Sequence, residues 1–97
     1  MTLKELRALL IVGTMFRASM LGKNADIAGP ENQGLLRLVV FSRPTFIEVR
    51  YMEGPRFGVV STLPLKNVKC RMEGESIVLS DEYSDFYSIS LECGPLT

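Results

Sequence analysis

The rhythm of apolar and polar positions changes several times along this chain, and each change marks an element. Leu3, Leu6, Leu9 and Leu10 recur at helical spacing, with Lys4, Glu5 and Arg7 on the other faces. Thr2-Leu3-Lys4-Glu5 matches a capping box, in which hydroxyl and carboxylate each satisfy the other residue's free backbone N–H. The pattern predicts a helix over about 3–11, ended by β-branched Ile11 and Val12 and then by Gly13. So short a helix does not hold in water alone and must pack on something.

From Thr14 the period falls to two. Phe16, Ala18 and Met20 alternate with Met15, Arg17 and Ser19, which predicts a strand, with a continued helix as its competitor. Residues 22–34 are rich in Gly, Pro, Asn and Asp and read as one long loop, with Ile27 as its only large apolar anchor. Leu35 to Ser42 and Thr45 to Met52 read as a hairpin, and Phe57 to Thr62 as a third strand. Ile47, Val49 and Tyr51 share one face of the second strand, while Phe46, Glu48, Arg50 and Met52 share the other. Pro64 excludes a central strand at 63–68, where an irregular crossing is expected. Short strands follow at Lys69 to Met72 and Ile77 to Leu79. Phe86 to Cys93 has the cleanest alternation, with Tyr87, Ile89, Leu91 and Cys93 in phase.

The pattern predicts an α+β, mostly β domain: an N-terminal helix, then a small, strongly bent antiparallel sheet or SH3-like barrel of about five to seven short strands. The likeness to such barrels is in strand number and length alone. Residues 1–97 form a single domain, with a flexible tail over 94–97. Leu38, Ile47, Val49, Ile89 and Leu91 are the expected core.

Charge refines the picture. The chain holds 11 Lys and Arg against 11 Asp and Glu, so a strong field of one sign is absent. Residues 1–52 nevertheless carry seven basic and four acidic groups, and residues 53–97 the reverse. Such halves offset each other on folding, or present a two-signed surface that docks onto a charged partner. The apolar run Ala8 to Val12 behind Lys4 and Arg7 faintly resembles a signal peptide. Glu5 interrupts its basic region, no small-x-small cleavage site follows, and the run is too short for a membrane span. It is expected to be core.

Catalytic chemistry finds little support. With no His, the common Ser–His and Cys–His arrangements cannot form within the chain. Cys70 and Cys93 lack CxxC spacing and read as small buried thiols in a reducing, cytoplasmic setting, with a bridge between them as the alternative. Gly22-Lys23-Asn24 lacks the rest of a phosphate-binding loop. No catalytic residue, metal site or cofactor is therefore expected.

Two surfaces remain as candidates. Arg37, Arg43, Phe46 and Arg50 would form a basic and aromatic stripe if Arg37 and Arg50 share an exposed face. That combination suits a protein interface or single-stranded nucleic acid. Glu73, Glu75, Asp81, Glu82 and Asp85 would form an acidic patch, as in a viral or mobile-element inhibitor that mimics phosphate charge. The reading that accounts for most of this is a non-enzymatic protein-interaction module, alone or as a homodimer, with no membrane partner. Nucleic-acid binding through the Arg/Phe face is the alternative.

Overall fold

Thr2 caps the first helix as its sequence requires. The Glu5 N–H donates to Thr2 Oγ1 at 3.1 Å, and the Thr2 N–H donates to Glu5 Oε1 at 2.9 Å. In the computed structural model, which describes residues 1–91, this helix (α1) spans Leu3–Leu9 and ends with Leu10 as its cap. It is shorter than the expected 3–11 because Ile11 and Val12 leave the helix and stand exposed. Leu6 and Leu10 are fully buried, so α1 packs on the core, but of the run Ala8 to Val12 expected there only Leu10 is buried, and Ala8, Leu9, Ile11 and Val12 are exposed. No described helix is long and apolar enough to cross a membrane.

Seven strands follow: β1 (Met15–Met20), β2 (Leu35–Arg43), β3 (Phe46–Tyr51), β4 (Val60–Pro64), β5 (Lys69–Glu73), β6 (Ser76–Ser80) and β7 (Asp85–Leu91). They form one antiparallel sheet in the order β4-β3-β2-β1-β7-β6-β5. The fold is thus mostly β with few helices, as the pattern predicts. The sheet does not close: β4 and β5 are both edges. Pro64 is tolerated because it lies on edge strand β4. β4 starts later than expected, since residues 54–59 are spent in turns, with Phe57 N–H on the Gly54 carbonyl and Gly58 N–H on that of Tyr51.

The expected loop over 22–34 is largely helical. Lys23–Ala28 forms a second short helix (α2), and Pro30–Asn32 a 3₁₀ turn. Gly and Asn obscured this in the sequence, but Gly22 and Gly29 serve as the ends of α2. Ile27 anchors nothing, being 83% exposed. Gln33 holds the segment instead: its side-chain amide accepts from Met20 N–H at 2.8 Å and donates to Met20 C=O at 3.0 Å, extending β1 in the manner of a neighbouring strand.

One face of the sheet builds the core. Phe16, Ala18, Val39, Ile47, Val49, Leu63, Ile77, Leu79 and Ile89 are buried there, covered by Leu6 and Leu10 of α1 and by Leu65 and Val68 of the β4–β5 crossing. Ile47, Val49 and Ile89 are therefore core, as expected, and Leu91 packs half-buried against it. Leu38 is not. It pairs with Arg50 on the opposite face, half-exposed. Cys70 packs against the core on β5, which β6 separates from β7. Cys93 and the 94–97 tail lie outside the described residues.

Candidate functional site

The β2–β3 hairpin carries the first candidate surface, and its register divides the four expected residues. Arg37 lies opposite Tyr51, whereas Arg50 lies opposite Leu38 and Arg43 opposite Phe46. Adjacent pairs in a ladder point to opposite faces. Arg37 therefore points into the core side, where it is only 2% exposed, and the expected stripe of Arg37 with Arg50 does not form. The run Leu35-Leu36-Arg37-Leu38-Val39-Val40 invites the reading that its lone charged residue faces water. Here the two leucines beside it face outward instead.

The other three residues do share the outward face. A bulge between Val39 and Phe41 restores the phase, so Phe41 and Arg43 both point outward. The Arg43 guanidinium lies 4.6 Å from the Phe41 ring centre, and the Phe41 and Phe46 rings are 6.2 Å apart. Glu48 stands between Phe46 and Arg50 on the same face of β3. A row of paired residues, Met15–Leu38–Arg50–Val60, crosses four strands on this face. Met15 is 41% and Val60 43% exposed, and Ile11 and Val12 ahead of β1 are 59% exposed each. Beside the row, Arg17 pairs with Glu53, whose carboxyl it holds below the usual range, and Glu53 also accepts from the Leu36 N–H.

The acidic candidates are mostly engaged within the fold. Arg71 grips Asp85 with two hydrogen bonds of 2.9 Å and Glu73 with a third of 2.9 Å. That contact lowers the Asp85 pKa and raises that of Arg71. Asp81 accepts from the backbone N–H groups of Ser84 and Tyr83 at 2.9 and 2.8 Å, and these bonds lower its pKa. Glu75 and Glu82 are the members left exposed without such a role. The five residues therefore do not act as one block of free negative charge. Among the described residues no three His, Cys, Asp or Glu side chains gather as a metal-ligating group.

Sequence reasoning missed what Arg37 does. Its Nη1 donates to the Tyr87 hydroxyl at 2.8 Å. Its guanidinium carbon lies 4.3 Å from the centre of the Tyr51 ring and 5.5 Å from that of Tyr87, so two tyrosine faces stabilise the charge. Burial pushes the Tyr87 phenol up to about 12, so the hydroxyl keeps its proton. A cleft of about 290 Å³ opens beside this group, between the β3–β4 edge and Phe86 and Tyr87 of β7. One signal was present in the sequence: Tyr51 and Tyr87 both fall on inward-phased positions, and buried tyrosine hydroxyls need polar partners.

Comparison with known protein families, curated proteins and solved structures finds no match for this chain.

Proposed function

We propose that this chain is a non-enzymatic protein-interaction module that associates with a second copy of itself through the outward face of β1–β4. The observation that carries this reading is the row Met15–Leu38–Arg50–Val60, in which exposed Met15 and Val60 and half-exposed Leu38 surround Arg50 across four neighbouring strands. Isolated exposed apolar residues are ordinary, but a contiguous group flanked by arginine and aromatic side chains has the composition of an interface. A copy of the chain fits for two electrostatic reasons. Arg43, Glu48 and Arg50 give the face both signs, so a twofold arrangement can set Glu48 against an arginine. The net charge of zero removes long-range repulsion between copies.

Multi-angle light scattering across a concentration series tests this. A mass twice that of one chain is expected, and Met15→Lys with Val60→Lys should return it to one chain while the far-ultraviolet spectrum is unchanged. A strict monomer at every concentration overturns the reading, as does a dimer indifferent to both substitutions.

A further inference from the structure

We infer that the cleft beside Arg37 is a binding site for a small organic anion, one with an acid group, a compact apolar body and a hydrogen-bond donor. The site lies on the other face of the sheet from the Met15–Val60 row, so each proposal stands without the other.

The acid group follows from the unfilled half of Arg37. With Nη1 committed to Tyr87, Nε and Nη2 are buried and have no partner among the described residues. These two nitrogens share one edge of the planar guanidinium. Their N–H groups point the same way, which is the fork that meets two oxygens of a carboxylate or phosphate at once. A buried charge with its best donor edge empty is costly, and buried unpaired donors are rare enough in folded proteins to need an occupant. Water could bond to the fork but would leave the charge uncompensated. The two tyrosine faces stabilise the charge without neutralising it, and no carboxylate does so: Arg56 also lines the cleft, and no Asp or Glu does. Two cations and no anion make the cleft selective for negative charge.

The rest of the ligand follows from the lining. Met20, Val49, Leu63, Pro64 and Phe86 supply apolar surface around Arg37. A volume near 290 Å³ is at the lower limit for a small-molecule site, which fits a single-ring acid better than a nucleotide. A neighbouring cleft of about 150 Å³ shares Met20, Asn24, Tyr51 and Arg56 with the first. Asn32 lines it. Its Nδ2 donates to the Ala28 carbonyl at 2.6 Å, which leaves Oδ1 as a buried acceptor with no partner. An acceptor in that place calls for a hydroxyl or amine on the ligand.

Amide NMR of the whole chain tests the site with three probes: benzoate, phenyl phosphate and neutral benzamide. Saturable shifts at Arg37, Tyr51 and Tyr87 are expected with at least one anion and not with benzamide. The stronger of the two anions identifies the acid group as carboxylate or phosphate. Arg37→Met keeps a side chain of similar length and should weaken binding at least about tenfold. Arg37→Lys should retain part of it, because an ammonium keeps the charge but loses the fork. No saturable shift with either anion up to about 10 mM, ten times a Kd of about 1 mM, overturns the proposal. So does an equal response to benzamide, or undiminished binding by Arg37→Met. If that variant does not fold, the anion-against-benzamide comparison on the unaltered chain still decides, and Arg56→Gln should weaken the anion alone.

Discussion

Arg37 on β2 and Tyr87 on β7 meet at 2.8 Å on the core side of the sheet, with β1 between their strands. Fifty residues of chain separate them. The contact joins the hairpin half of the sheet to the β5–β7 half by a hydrogen bond that no backbone ladder supplies. It also fixes the guanidinium so that one edge is used and the other, Nε and Nη2, is buried without a partner among the described residues, in a side chain that borders the cleft.

Exchanging the two partners separately should give unequal effects. Arg37→Met removes a buried charge and two unpaired donors, at the expense of one hydrogen bond to Tyr87. Replacing buried ionic groups by apolar ones of similar volume is often neutral or stabilising, so the change should lie within about 1 kcal/mol of zero or be a gain. Tyr87→Phe leaves the charge in place and strips it of its hydrogen bond, which should cost about 1.5–3 kcal/mol. Urea unfolding of both variants measures this. A larger loss for Arg37→Met than for Tyr87→Phe would mean that the fold itself satisfies the guanidinium.

Strand phase gives a second contrast. Ile89 is fully buried between neighbours Ala18 and Ile77 on the core face. Ile89→Ala should cost about 2–5 kcal/mol through lost burial and the cavity left behind. Leu38, equally apolar and equally mid-strand, lies half-exposed on the outward face, and Leu38→Ala should cost about 1 kcal/mol or less. Equal losses in thermal or urea unfolding would place Leu38 in the core and reverse the phase of β2.

These two residues show where the sequence was legible. The helix cap, the existence of all seven strands and the inward phase of Ile47, Val49 and Ile89 could be read because each follows from local chemistry or clean alternation. The phase of β2 could not. Six of its first seven residues are apolar, so Arg37 was the only marker, and it marks the wrong face. The deciding interactions are with the Tyr51 ring on the neighbouring strand β3 and the Tyr87 ring on β7, which is distant in sequence and lies beyond β1. The 22–34 segment failed for another reason: its glycines cap short helices, and a local pattern does not distinguish a cap from a loop. The acidic patch was legible as composition, but its engagement by Arg71 depends on the β5–β6–β7 pairing.

The turn after β3, which carries Arg56 of the cleft, packs closely against β2 at Gly54. Gly54 has φ +83°, and a Cβ built there would lie 2.8 Å from Leu35 Cδ1. Gly13 has a similar φ of +98° with open space around it. Both Ala substitutions carry the left-handed backbone penalty of about 1–2 kcal/mol, and Gly54→Ala must also displace Leu35. Gly54→Ala should therefore lower the melting temperature more than Gly13→Ala. Equal shifts would show that Leu35 yields freely.

Tyr87 should make the fold sensitive to alkaline pH. Its folded pKa lies near 12, pushed up by burial, against an ordinary value of 10.0. Below pH 10 both states hold the phenolic proton and Tyr87 adds no pH dependence. Between 10 and 12 the unfolded chain releases the proton while the folded chain keeps it, so unfolding is favoured as pH rises. The slope is about 1.4 kcal/mol per pH unit, or about 2–3 kcal/mol lost by pH 12. The Cys70 thiol, also raised by burial, acts in the same direction. It is present in both the unaltered chain and Tyr87→Phe, so the difference between their stability curves isolates Tyr87. That difference should be constant up to about pH 10 and then shrink, since only the tyrosine-bearing chain loses the increment. Parallel curves from pH 9 to 12 would show that the Tyr87 phenol ionises as freely in the fold as outside it.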